Sequence, residues 1–438
     1  MTQRTSILMR HASVIALLGL VVVALGAGSA SGAKQGGNPT ITVLVDSLRA
    51  PLFTQYAKTH PNLKIKVNVA TQPQILPDIR LALKAHSGVP DVIWGSASPW
   101  ALAAELQIYG GSLEKYIPRS VQAKFVPGSN ANCMVNGVLK CIRNDISPGV
   151  VWVNTTLMKQ FGYTNPTTWQ QFEQIGLDVA KNHPGYTFGG LAQWVEVMDE
   201  YWAAFRCPFN QLVNFNTVRI DLSAPGCQHM YAVLDPLIKA GVLDPKMTQL
   251  GQDAASFAHS GKLLMQYGAL WWGDFILNAF YHVPAGQYTA IPPLSDGSLP
   301  PVSGQPTGGG GVYMVYRNSP VFAQAAKMIL SIDTEIAGPT GIPTRPTYPA
   351  WGPGVAAWTA KTAHDSFWSV NPVPALNKGA SEISPTFGAT RFDYSDVYNG
   401  IIMPGLQSGK SLAQLAPQAQ AALVKLAKRA GYKVVTSP

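Results

Sequence analysis

Charge is scarce in this sequence. Asp, Glu, Lys and Arg make up 13% of its 438 residues, about half the share of an ordinary soluble domain, so the surface is expected to be polar and largely neutral. The formal charge is +9, but Lys and Arg are scattered and form no stripe, which argues against a nucleic-acid partner. The one cluster, Lys425, Lys428, Arg429 and Lys433, closes a predicted terminal helix, where cations suit the helix dipole.

Cysteine is limited to Cys133, Cys141, Cys207 and Cys227. No CxxC or HxxxH spacing accompanies them, which disfavours zinc, and no metal or cofactor is expected. An even number in an exported chain points to disulfides. Cys133 and Cys141 flank the hairpin turn Asn136-Gly137, and a loop of Asn136, Gly137 and Val138 would set them directly opposite each other; Cys207 then pairs with Cys227 by elimination. The eight histidines stand singly, and neither GxSxG nor HExxH occurs, so the familiar hydrolase and metalloprotease signatures are missing. Gly405 to Ser411, GLQSGKS, has three residues between its glycines where a phosphate loop needs four, and it follows Pro404 in place of a clear strand. Glycoside hydrolysis needs only two carboxylates, so Glu196 with Asp199, or Asp393 with Asp396, leaves a secreted glycosidase as a lesser alternative.

Long apolar runs are also rare. The only one, Val14 to Leu25, follows Arg4, Arg10 and His11 and precedes Ser29, Ala30, Ser31 and Ala33. It is shorter than the roughly 20 residues a membrane span requires, and the pattern is that of a signal peptide over residues 1–33, cleaved near Ala33. Removal takes Arg4 and Arg10 and no acid, lowering the charge from +9 to +7. The mature protein is expected to be soluble, secreted or periplasmic. The remainder exceeds the roughly 250–300 residues at which one hydrophobic core divides, and with 47% hydrophobic residues two cores are expected.

The order of elements supports an α/β class. Ile41 to Val45 is a short apolar run, Leu63 to Val69 alternates with Lys64, Lys66 and Asn68, and Val92 to Trp94 follows Pro90-Asp91. These read as strands, separated by helical spacing at Leu52, Phe53, Tyr56 and Ala57 and at Ile75, Ile79, Ala82 and Leu83. The βαβαβ order predicts a parallel, doubly wound sheet. After the crossing Asp145 to Gly149 a second series begins, with strands at Val150–Val153, Tyr186–Leu191 and Lys262–Tyr267 and helices at Trp169–Lys181 and Gln228–Ala240. Tyr288–Ile291 and Val312–Tyr316 read as strands in a chain returning to its first lobe.

At this point the ordered motifs resemble the extracellular solute-binding proteins of ABC importers, in particular the carbohydrate-binding family that includes maltose-binding protein. The motifs are ITVLV at Ile41, PNLKIKV at Pro61, VPDVIW at Val89, NGVLKCI at Asn136, GVVWVN at Gly149, TWQQF at Thr168, SGKLLM at Ser260 leading to Trp271, and the glycines Gly308 to Gly311 before Asn318-Ser319. The resemblance implies two doubly wound lobes joined by a multi-crossing hinge with a ligand cleft between them. Residues 38–143 plus 286–334 would form the N-terminal lobe, 144–147 and 335–336 the crossings, and 148–284 plus 337–438 the C-terminal lobe. It also implies capture of a sugar or oligosaccharide by a monomer and delivery to membrane permease subunits; receptors for glycerol phosphodiesters or polyamines are the alternative. Relatives with a lipid anchor carry a cysteine at the mature start, whereas the first here is Cys133.

Loops after strands are where open α/β sheets bind ligands, which nominates Asp46 and Ser96, with helix capping the alternative role for either. Asn144 and Asp145 match positions where relatives present a carboxylate to sugar. An indole covers the apolar C–H face of a sugar ring, so Trp194, Trp271, Trp272, Tyr348 and Trp351 are aromatic candidates, Trp271 matching the family's stacking position. Asp274 follows the two tryptophans, and Gly309 and Gly310 would let backbone approach a ligand.

Overall fold

A computed structural model describes residues 39–437 except 97, 193–194, 298, 303–309 and 337–346; the predicted signal peptide, residues 1–33, lies outside them. Two hydrophobic cores organise the described chain. The first gathers side chains between Ile41 and Ile142 and between Val312 and Ile336. The second gathers Phe125 and residues from Ile146 to Leu294 and from Tyr348 to Tyr432.

The first core surrounds a five-stranded sheet in the order Lys64–Val69, Thr40–Val45, Val92–Ser96, Gly311–Val315 and Ile142–Arg143. The first three strands are parallel, with Val43 opposite both Val67 and Val92, as the βαβαβ reading requires. Val92–Ser96 is buried along its whole length, because the sheet is covered on both faces and both sides of the strand must be apolar. Lys64–Val69 sits at the edge, where its lysines discourage further strand pairing. Gly311–Val315 joins antiparallel to Val92–Ser96. Asp91 fixes this junction: its carboxylate accepts from Thr42 N (2.8 Å), Thr42 Oγ1 (2.7 Å) and Ser319 Oγ (2.7 Å).

In the second core Gly149–Asn154 is fully buried between Met265–Ala269 and Tyr288–Ile291, both antiparallel to it. Gly190–Ala192 and Asp244–Thr248 form a separate parallel pair. Tyr288–Ile291 was expected in the first lobe's 286–334 segment; its pairing with Gly149–Asn154 places it in the second core. An apolar four-residue strand suits either core, and the free edge beside Trp152 decides. The strand expected over Tyr186–Leu191 shrinks to Gly190–Ala192, because Gly189 at φ +102° breaks the extended run.

Both expected disulfides are present, Cys133–Cys141 with Cα atoms 5.0 Å apart and Cys207–Cys227 at 4.4 Å. The first hairpin differs in register from the three-residue loop expected. Asn136 and Gly137 both have positive φ, a two-residue turn that pairs Val135 with Val138 and Met134 with Leu139. Lys140 therefore faces Cys133, its N–H donating to the Cys133 carbonyl at 2.9 Å, and the disulfide reaches one residue further along.

The two cores are joined by chain segments that pair with one another. Asn144 N donates to Gly311 O (3.1 Å), Ala350 N to Asn144 O (3.2 Å) and Ile146 N to Tyr348 O (3.0 Å). Among the described residues no helix is long and apolar enough to cross a membrane.

Candidate functional site

Beside these joining segments lies a cavity of about 180 Å³, lined by Asp46, Leu48, Arg49, Trp94, Asp145, Trp271, Phe275, Gly310 and Thr347. Trp94 belongs to the first core, Trp271 and Phe275 pack on the second, and Asp145 and Gly310 come from the segments between. The cavity thus has aromatic walls of two origins and a charged floor.

Arg49 is the centre of that floor. Its guanidinium carbon lies over the Trp94 ring, 3.9 Å from the centroid, while Nη1 donates to Asp46 Oδ2 at 2.5 Å and Nη2 lies 3.6 Å from Asp145 Oδ2. Asp46 also accepts from Arg49 N at 2.9 Å, so it shapes the turn into the helix Ala50–Thr59 and lines the cavity as well. Trp94 is held by its indole N–H, which donates to Asn144 Oδ1 at 2.8 Å. Asp145 Oδ1 accepts from Gly311 N at 2.6 Å, and its carbonyl accepts from Arg143 Nε at 2.9 Å.

Glycine is required here. Gly310 has φ +80°, and a Cβ there would stand 2.6 Å from Ser147 Oγ and 2.7 Å from Arg143 Nη2. At Gly311 a Cβ would fall 1.8 Å from Trp94 Nε1 and 2.4 Å from Asn144 Oδ1, in the middle of the bond that anchors the indole.

Two ionisable groups lie behind the floor. Burial pulls the Arg143 guanidinium down to about 10, with Asp145 opposing the shift, so it stays charged at neutral pH. Asp333, in the π-helical turn Ile332–Ile336, is pushed well above the usual carboxylate range, by burial first and by the Asp145 charge second.

The nominated residues divide. Asp46, Asp145, Trp271 and Gly310 line the cavity, and Asn144 stands one contact behind it through Trp94. Ser96 does not line it: the buried Oγ accepts from Ser98 N at 3.1 Å, a turn ahead of the helix Pro99–Tyr109. Trp272 is a core residue, 1% exposed, with its indole N–H donating to Gln266 Oε1 at 3.1 Å. Asp274 is half-buried in the π-helical turn Gly273–Asn278 and is not a lining residue. Tyr348 donates to Asn377 Oδ1 at 2.9 Å, burial pushing its hydroxyl up to about 12, and faces a different hollow with Val126 and Ile383. Trp351 stands edge-on to Phe125, ring centres 5.1 Å apart. Trp194 and Gly309 lie outside the described residues.

Leu48, Arg49, Trp94, Phe275 and Thr347 were not nominated. Arg49 offered a signal, an opposite charge three residues after Asp46 in a loop that follows a strand. Phe275 offered another, since it stands four residues after Trp271 and shares its helical face. Trp94 reads as strand core, and Leu48 and Thr347 carry no distinguishing pattern.

The competing motifs are accounted for by the chain itself. Ser411 caps the helix Leu412–Arg429, and Asp235 accepts from Leu412 N at 2.6 Å and Ala413 N at 3.3 Å. Those two N–H groups, at the start of the helix after GLQSGKS, are thus taken by a carboxylate, and within the motif the N–H groups of Ser408, Gly409 and Lys410 bond to backbone carbonyls. Asp199 is fully buried and accepts from Tyr394 Oη at 2.5 Å, and Asp393 accepts from Ser395 N at 2.9 Å within its own turn. Neither lines the cavity between the cores.

Comparison with known proteins agrees with this architecture. No curated protein sequence matches. Among solved structures, the ABC transporter associated binding protein of B. animalis subsp. lactis Bl-04, in complex with β-1,6-galactobiose, superimposes with a TM-score of 0.73 at 17% identity, over 90% of this chain and 99% of that one. The galacto-N-biose-/lacto-N-biose I-binding protein of Bifidobacterium longum gives 0.70 at 15%, over 92% and 100%. The cyclic α-maltosyl-1,6-maltose binding protein of Arthrobacter globiformis gives 0.70 at 14%, over 89% and 99%. The sequence itself matches the bacterial extracellular solute-binding protein family across residues 38–329, more than half of its length, and the chain belongs to that family.

Proposed function

We propose that this protein is the extracytoplasmic receptor of an ABC importer and binds a saccharide in the cavity between its two cores. The observation that carries the reading is the opposition of Trp271 and Phe275 to Asp46, Arg49 and Asp145 around one space. A sugar ring needs an aromatic surface for its C–H face and converging donors and acceptors for its hydroxyls, and this lining provides both. The sugars bound by the three structural relatives support the same class.

The cores act as two lobes, and closure about the segments at Asn144–Ile146, Gly310–Gly311 and Tyr348–Ala350 traps the ligand. Residues 1–33 direct export, and the closed monomer docks on permease subunits without performing chemistry. Phosphodiester and polyamine ligands are disfavoured because the lining cation and the lining acids are already engaged with one another.

Thermal-shift measurements against mono- and oligosaccharides, polyamines and glycerol phosphodiesters test the reading. A ligand at a hundred times its Kd stabilises the folded state by about 2.7 kcal/mol, so a sugar is expected to raise Tm by several degrees. Stabilisation by a polyamine or phosphodiester and by no sugar overturns it. Accumulation of reducing ends on incubation with glycans would establish a glycosidase in its place.

A further inference from the structure

Resting on the saccharide reading, we infer that the Asp46–Arg49–Asp145 cluster is a charge filter that restricts the site to uncharged sugars and makes Arg49 the specificity-determining residue. The site holds two cations and two anions. Arg49 meets Asp46 at 2.5 Å and Asp145 at 3.6 Å, and Arg143, fully buried, binds the Asp145 backbone at 2.9 Å. Asp333 stands behind Asp145, its carboxyl pushed well above the usual carboxylate range by burial first and by that neighbour second. The balance leaves no net charge to attract an acidic or amino sugar. A charged group buried there when the site closes pays its desolvation with no counter-charge to meet it.

The cluster nonetheless retains bonding capacity for hydroxyls. Arg49 is 4% exposed, and among the described residues its Nε has no hydrogen-bond partner. The separation from Asp145 exceeds hydrogen-bond length. A buried guanidinium N–H without an acceptor is costly, and a ligand oxygen is the group that relieves it as the site closes. Arg49 cannot swing out to a charged ligand, because Trp94 lies under it at 3.9 Å and Asp46 on its own turn holds Nη1. It acts as a fixed donor whose charge is already spoken for.

The test is calorimetric titration with a neutral sugar identified by thermal shift, its uronic acid and its amino-sugar analogue, on the wild-type protein and on Asp145→Asn and Asp46→Asn. Asparagine keeps an acceptor for Gly311 N and Arg49 N in the respective variants while removing one negative charge. The wild-type protein is expected to bind the neutral sugar at least tenfold more tightly than either charged analogue. Each variant is expected to improve the uronate-to-neutral affinity ratio at least tenfold, with the gain shrinking as salt is raised. Wild-type binding of the uronate or amino sugar as tight as that of the neutral sugar overturns the filter, as does an unchanged ratio in both variants. Failure of every sugar, charged or neutral, to bind the folded wild-type protein overturns the saccharide reading itself, and the filter with it. Should one variant fail to fold, the other carries the comparison alone.

Discussion

The Arg49 guanidinium rests on the Trp94 ring at 3.9 Å, while the same indole donates its N–H to Asn144. One side chain thereby ties the turn after the first strand to a segment that joins the cores. Trp94→Phe keeps a ring but deletes the N–H and part of the aromatic face. Loss of a buried hydrogen bond costs about 0.5–1.5 kcal/mol, and weakening a desolvated cation–π contact costs about 0.5–2 kcal/mol. Denaturant unfolding is expected to show a loss of about 1–3 kcal/mol together with weaker sugar binding. A variant as stable as wild type would show that the stack does not hold the floor in place.

The neighbours Trp271 and Trp272 are expected to behave differently when changed. Trp272 is buried and bonded to Gln266, so Trp272→Ala leaves a core cavity and costs about 3–5 kcal/mol of stability. Trp271 lines the cavity between the cores, so Trp271→Ala is expected to cost less than half as much stability and, on the proposed reading, to lower sugar affinity tenfold or more, equivalent to about 1.4 kcal/mol. Calorimetry and thermal unfolding on the same two proteins separate the effects. Equal losses of affinity would refute the assignment of the two rings.

That contrast marks how far the sequence can be read. Strands at Ile41–Val45 and Val92–Trp94 and helices at Trp169–Lys181 and Gln228–Ala240 are legible because burial imposes a period on the apolar residues. The loop after the first strand is legible as a cavity-lining position because parallel sheets direct it there. Adjacent tryptophans are not separable that way. Trp271 and Trp272 both precede the π-helical turn Gly273–Asn278, yet one ring lines the cavity and the other enters the core. The union of Arg49, Trp94, Asn144 and Gly311 spans four distant stretches of chain, and no local period reports it. The pairing of Tyr288–Ile291 with the second core was hidden for the same reason.

Gly310→Ala tests whether the joining segment is fixed by its backbone. A left-handed φ of +80° costs an L-residue about 1–2 kcal/mol, and the added methyl would press on Ser147 Oγ and Arg143 Nη2. The variant is expected to lose at least about that much stability and to bind sugar more weakly, since Arg143 holds the Asp145 backbone through its Nε. Unchanged unfolding and unchanged affinity would show that the segment adjusts freely.

Few carboxylates suggests a stability that varies little with acidity, but two buried acids alter that expectation. Glu105, on the helix Pro99–Tyr109, lies beneath the end of the third strand, its Oε2 only 2.1 Å from where a Cβ of Gly95 would stand. Burial pushes its carboxyl up to about 8, and the Ser96 amide offsets only part of the shift. Asp333 is displaced in the same direction. An acid whose folded-state value exceeds its unfolded one binds its proton more tightly in the folded state. Its contribution is fully present below the unfolded value near 4.5 and is lost as pH climbs toward about 8. At 1.36 kcal/mol for each unit, Glu105 alone makes the fold less stable at pH 8 than at pH 5 by on the order of 4 kcal/mol. Glu105→Gln, which is neutral at every pH, is expected to remove the Glu105 share of that slope in urea unfolding measured across this window. A slope unchanged in the variant, or stability rising toward pH 8 in the wild type, would refute the assignment. The expected sign describes a protein that tolerates acidic surroundings better than alkaline ones.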